Sequence, residues 1–305
     1  MAVQNATTKN TTTQYKKPEM SAKIAGALAG YTAFGTIVST TSPQISRFCQ
    51  EQMQQLQSSI SQDTFETVRK GMGRVIEETG LLDKGVRLIK AGEENREVVS
   101  EILSSDLNRG IARFLPKSYK DMQKQCVLRQ VEEGANAFFS QASNAVVVPK
   151  KGIELAFFHE VGHALNENKS TLTKILQKCR PLTILATPIL LIGLLKDKKA
   201  PDEKPKNKLD KATTFIKENA GKLSFAAFVP MLLEEGLASL KGNKLSKQFF
   251  DFDIAKNVAK SNGYGFLSYL GMATAFSLGT VLAIKIRDSI AAPKKTYKKE
   301  NTQKA

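Results

Sequence analysis

The chemistry of this 305-residue chain concentrates in five consecutive residues, His159-Glu160-Val161-Gly162-His163. On an α-helix, positions i and i+4 share a face, so both imidazoles can reach one zinc ion. Glu160 stands beside the first imidazole. There it can take a proton from a zinc-bound water, whose pKa falls to about 7, and pass it to a leaving amine. The chain has only two histidines, and both lie in this motif. Cys49, Cys126 and Cys179 stand singly, with no C-x-x-C spacing, so the third ligand should be a carboxylate. The pair Glu234-Glu235, set in VPMLLEEGLASLKG, is the strongest candidate, because adjacent carboxylates inside an apolar helix are costly to bury without a cation. Glu154, Glu167, Asp251 and Asp253 are the other carboxylates to weigh. Gly162 is a poor helix former, but a small residue there admits a neighbouring backbone.

The elements that must position these groups are mostly helical. Residues 152–168, GIELAFFHEVGHALNEN, read as one long apolar helix. Before it, Asn144 to Val148 holds three consecutive valines, which suit a short extended segment closed by Pro149. After it, an apolar hairpin over 176–195 and 222–240 brings the Glu pair back. The first arm reaches spanning length only if Lys178 and Arg180 snorkel to the interface. Residues 243–285 form a loop and a membrane helix, whose Ser261–Ile284 run is uncharged for 24 residues. Ahead of the site, 1–20 is a disordered lead, and 21–43 is a Gly/Ala-rich candidate membrane helix. Residues 44–143 form a domain of four or five amphipathic helices with no evident chemistry. The tail, 286–305, is basic and disordered.

The net charge of +16 comes mostly from lysine, 35 against 10 arginines, and there is no tryptophan. Arginine is the better bidentate reader of phosphate and bases, and no nucleic-acid signature accompanies the lysines, so nucleic acid is not an expected partner. The lysines cluster at Lys16-Lys17, across 196–222 and in the tail, as basic flanks of membrane segments do. The expected protein is mainly α: a multi-pass membrane protein of a cell or inner membrane, with at most a short strand or hairpin before the zinc helix.

Residues 144–242 resemble the gluzincin-type zinc metallopeptidases, closest to the membrane-bound family of the heat-shock protease HtpX and the CAAX prenyl protease Ste24. That family has an H-E-x-x-H helix, a membrane hairpin and a helix carrying E-x-x-A-D. The resemblance implies His159 and His163 as zinc ligands, Glu160 as general base and Glu235 as third ligand. The family's Asp is Ser239 here. Its Asn-Ala-x-x-x-Pro segment reads as Asn144–Pro149, closer to the histidines than usual. The resemblance further implies that Ala145, Val146, Val147 and Val148 form the strand edge on which a polypeptide substrate pairs. The implied activity is zinc-dependent endoproteolysis of membrane or membrane-proximal polypeptides. Two other readings stand beside it. One is a site-2 intramembrane metalloprotease, which lacks its L-D-G segment here. The other is a non-catalytic membrane protein with a structural metal or none.

Overall fold

The computed structural model describes residues 11–299 except 151, 153, 201 and 202. The protein is mainly helical, with a small sheet, and divides into two compact units. One comprises residues up to 39, 185–225 and from 275 onward; the other comprises 40–184 and 226–274.

The second unit is built on a three-stranded sheet. Strands β2 (Arg87–Ala91), β3 (Phe138–Ser140) and β4 (Ala145–Pro149) lie in the order β2-β4-β3, with β2 parallel and β3 antiparallel to β4. The valine run is continuous because both faces of the strand are buried. Ala145 and Val147 pack with α3 (Arg96–Leu107) and α4 (Lys117–Glu132) through Val99, Ile102, Leu128 and Val131. Val146 and Val148 pack with α2 (Gln62–Glu78) and α5 (Ala156–Lys169) through Val68, Met72, Phe158 and Val161. Two expectations are corrected here. The region 44–143 is not purely helical, and the sheet exceeds a short hairpin: β2 comes from that region and pairs with a strand more than fifty residues away. Ala145, Val146 and Val147 do not form an edge, since they pair with β2 on one side and β3 on the other; Val148 pairs with β2 alone. The edges of the sheet are β2 and β3, each paired only with β4 among the described residues, and β3 is the edge whose Phe138 and Phe139 line a cavity with Glu160.

Among the described residues, three segments are long and apolar enough to cross a membrane: Thr171–Leu195, Ala220–Phe249 and Phe252–Ile290. The first is composed of α6 (Thr171–Cys179), a 3-10 turn and α7 (Ala186–Leu195); the others are α9 and α10. Only 22%, 44% and 33% of their most apolar windows are buried, so most of that surface faces outward. The expected 21–43 helix lies within α1 (Met20–Ser58), which continues through Pro43 and is not among the three.

In the first unit, the N-terminal half of α1 packs on α10. A Cβ at Gly30 would lie 2.6 Å from the Ala283 carbonyl oxygen, and Phe34 meets Phe276 edge to face at 4.7 Å. Helix α8 (Lys208–Glu218) belongs here too. The Arg287 guanidinium is buried and donates to the Leu194 carbonyl at 3.0 Å, to Asp197 at 2.8 Å and to Asp288 at 2.9 Å. Strands β1 (Thr11–Lys16) and β5 (Lys294–Lys299) pair antiparallel. These parts of the expected disordered lead and tail are therefore ordered, in keeping with their Thr/Tyr content. Residues 1–10 and 300–305 of the lead and tail lie outside the described residues.

Candidate metal centre

Helices α5 and α9 bring the site together through an unusually close crossing. A Cβ on Gly162 would lie 2.1 Å from the Ala238 carbonyl oxygen, and one on Gly242 would lie 2.5 Å from that of Phe158. Only glycine at these points lets the two backbones approach so far. Ala238 is three residues beyond Glu235, so the contact that seats α9 on α5 also sets the Glu235 carboxylate against the imidazoles. Asn168, at the end of α5, donates to the Asn144 side chain at 2.9 Å and ties the helix to the start of β4.

Three donor atoms converge. His159 Nε2 lies 3.0 Å from His163 Nε2 and 3.1 Å from Glu235 Oε2, and the third side of the triangle is 3.5 Å. A tetrahedral ion with bonds of about 2.0–2.1 Å holds its ligands about 3.3–3.4 Å apart. The triangle matches one face of such a tetrahedron, so His159, His163 and Glu235 could hold a metal ion.

The surrounding hydrogen bonds fix which nitrogens face inward. His163 Nδ1 lies 2.7 Å from Glu234 Oε1, and a carboxylate can only accept, so Nδ1 carries a proton. The neutral ring then presents a bare Nε2 to the centre. His159 Nδ1 lies 3.2 Å from Ser239 Oγ, and donation to that hydroxyl leaves its Nε2 bare as well. With His159 in that tautomer, two imidazole lone pairs and a carboxylate face one another, an arrangement that a cation would satisfy. In its absence a proton serves. Burial alone would lower the His163 pKa, but hydrogen bonds to Glu234 and Glu235 and the charges of Glu235 and Glu160 outweigh it, and it is pushed up to about 10.

Glu234 and Glu235 have different duties. Glu234 is fully buried and supports the site: besides His163, it accepts from Asn166 Nδ2 at 2.9 Å and Arg180 Nη1 at 2.9 Å. Arg180 Nη2 also lies 2.5 Å from Glu235 Oε1. The expected snorkelling of Arg180 is thus corrected: its guanidinium turns inward to the two carboxylates, while Lys178 stays exposed. Gln177 donates to the His163 carbonyl at 3.0 Å, anchoring α6 beneath the site.

Glu160 shares a cavity of about 350 Å³ with His163, Gln177, Arg180, Tyr269 and Phe139. Burial raises its carboxyl above the usual range, against the opposing charges of His163 and His159. The nearby Phe139 backbone, on β3, also opposes that rise. The other carboxylates weighed from sequence lie in separate contacts. Glu154 pairs with Arg69 at 3.1 Å, Glu167 with Lys174 at 3.0 Å, Asp251 caps α10 through the Ile254 N–H, and Asp253 sits in its first turn. Sequence reasoning passed over Arg180 and Tyr269 as site residues. For Arg180 the signal was available: a guanidinium in an otherwise apolar segment, opposite two carboxylates that needed a cation.

No protein-family model, curated protein or solved structure matches the chain.

Proposed function

We propose that the chain is a zinc-dependent membrane metalloendopeptidase. The observation that carries the reading is the triangle of His159 Nε2, His163 Nε2 and Glu235 Oε2, with sides of 3.0, 3.1 and 3.5 Å; its His163 lines a cavity together with Glu160, a carboxylate not needed as a ligand. Two imidazoles and one carboxylate are a donor set of catalytic zinc sites, which keep a fourth position open. Zinc, when bound, supplies Lewis acidity toward a peptide carbonyl and toward water.

The chain's own residues supply the rest. Glu160, with its raised pKa, is suited to accept the proton of an attacking water and return it to the leaving amine. A purely structural metal site has no use for a carboxylate so placed. Arg180 and Tyr269 line the same cavity and offer donors to the oxygen that gains charge as the carbonyl is attacked. The polypeptide would pair along the open edge of β3, Phe138–Ser140, which passes beside Glu160. The three apolar segments favour a membrane setting.

Metal analysis of detergent-purified protein tests this, beside His159→Ala, Glu235→Ala and Glu160→Gln variants. The expected result is about one zinc per chain, lost in the first two and kept in the third, with peptide hydrolysis lost in all three. A folded wild type without zinc, or an active Glu160→Gln variant, would overturn it.

A further inference from the structure

We propose that α8 is an interfacial helix that seats the first unit on anionic lipid headgroups. The inference rests on the membrane reading above and adds the surface and the lipid chemistry.

Helix α8 is amphipathic but turned inside out. Its polar face points into the protein. Asp210 accepts from Lys196, from Lys199 at 2.6 Å and from the Lys206 N–H at 2.7 Å. Lys217 is buried and donates to Asp288 at 2.6 Å and to the Lys196 carbonyl at 2.7 Å. Its apolar face points outward: Leu209 is 72% and Phe215 57% exposed, with exposed Ala212 between them at helical spacing. A helix bathed in water has the reverse arrangement. An outward apolar stripe flanked by lysine is the pattern of a helix lying in a membrane interface.

Connectivity supplies a second reason. The helix joins α7, which ends a segment of membrane-crossing length, to α9, which begins another. A chain that leaves the bilayer at Leu195 and re-enters at Ala220 keeps this connection at the surface.

Charge sorting supplies the third. Asp197, Asp210 and Asp288 are engaged within the unit by lysine and arginine. Outside, among the described residues of this stretch, remain the exposed Lys198, Lys204, Lys206, Lys208, Lys211 and Lys222, against exposed Glu203 and Glu218. The outward field is positive and suits an anionic leaflet.

The chain has no tryptophan, so Phe215→Trp and, on the outward face of α10, Leu278→Trp each introduce a single fluorophore. The full chain is reconstituted in vesicles of phosphatidylcholine with phosphatidylglycerol, either lipid carrying bromine near the glycerol or near the chain ends. F215W emission should be blue-shifted, quenched more by shallow than by deep bromine, and quenched more by brominated anionic than by brominated neutral lipid. Lys208→Gln and Lys211→Gln should each reduce that anionic preference about fivefold. If L278W is quenched while F215W emits as in water, α8 faces solvent or a soluble partner and the inference fails with the membrane reading intact. If neither is quenched, the membrane reading itself fails. Equal quenching by both lipids would refute the anionic preference.

Discussion

Gly162→Ala tests whether the helix crossing builds the metal centre. The added Cβ would sit 2.1 Å from the Ala238 carbonyl oxygen, where real Cβ atoms do not approach within about 3 Å. The helices must therefore separate by about 1 Å. Coordination bonds tolerate about 0.2 Å. Glu235, one turn from Ala238, would leave bonding range of an ion held by the two imidazoles. Overpacking costs about 1–3 kcal/mol, while replacing glycine in a helix returns about 1 kcal/mol, so the net stability loss is about 0–2 kcal/mol. Zinc affinity should fall much further, by more than about 100-fold, beyond the 10–100-fold typical of losing a supporting hydrogen bond. The control is Gly236→Ala on the same helix. Its added Cβ meets only Phe266 Cε2, at 3.5 Å, an ordinary contact, so stability and zinc affinity should hold or improve slightly. Competition with chromophoric chelators gives the affinities, and thermal unfolding in detergent gives the stabilities. Wild-type zinc affinity in Gly162→Ala, or equal damage in Gly236→Ala, would refute the reasoning.

Three further outcomes follow from the same geometry. Glu234→Gln removes the charged partner of His163 Nδ1 and should weaken zinc binding about 10–100-fold while Glu160 and the three ligands remain, measured by the same competition. Ser239→Asp gives His159 Nδ1 a carboxylate in place of a hydroxyl at 3.2 Å and should tighten zinc binding about tenfold; unchanged affinity would show that the hydroxyl orients the ring as well. The raised His163 pKa has a definite sign. In metal-free protein its contribution to stability is full below pH 6.5 and is lost as pH rises toward about 10, while zinc binding at pH 8 should expel about one proton. Calorimetry in two buffers of different ionisation enthalpy counts that proton, and none released would contradict a protonated His163.

Local spacing carried much of the site. Residues four apart on one helix made it legible from sequence that the two imidazoles share a face, and Gly162 announced a close backbone. What spacing could not carry was partner choice at long range. A five-residue strand such as β2 has too few residues to show a period, and its pairing with β4 is decided by the faces that α2, α3, α4 and α5 cover. The valine run therefore signalled burial without saying which strand would be left at the edge. Arg180 was ambiguous for a related reason: a long cationic side chain at the border of an apolar segment can reach the interface or turn inward, and only the position of Glu234 and Glu235 decides between them.

Charge accounting ties these residues together. Glu160, Glu234 and Glu235 are all buried within one cluster, and a lone buried carboxylate is strongly disfavoured. Arg180 neutralises one charge through its contacts with Glu234 and Glu235. With all three carboxylates ionised, a net charge of −2 remains, which is what a divalent ion between His159, His163 and Glu235 would cancel. The His163 proton cancels only one unit, and the remaining unit is eased by the raised pKa of Glu160. The same pair of glutamates that makes α9 a poor apolar helix would thus give the two histidines an affinity for a dication that their spacing alone would not provide.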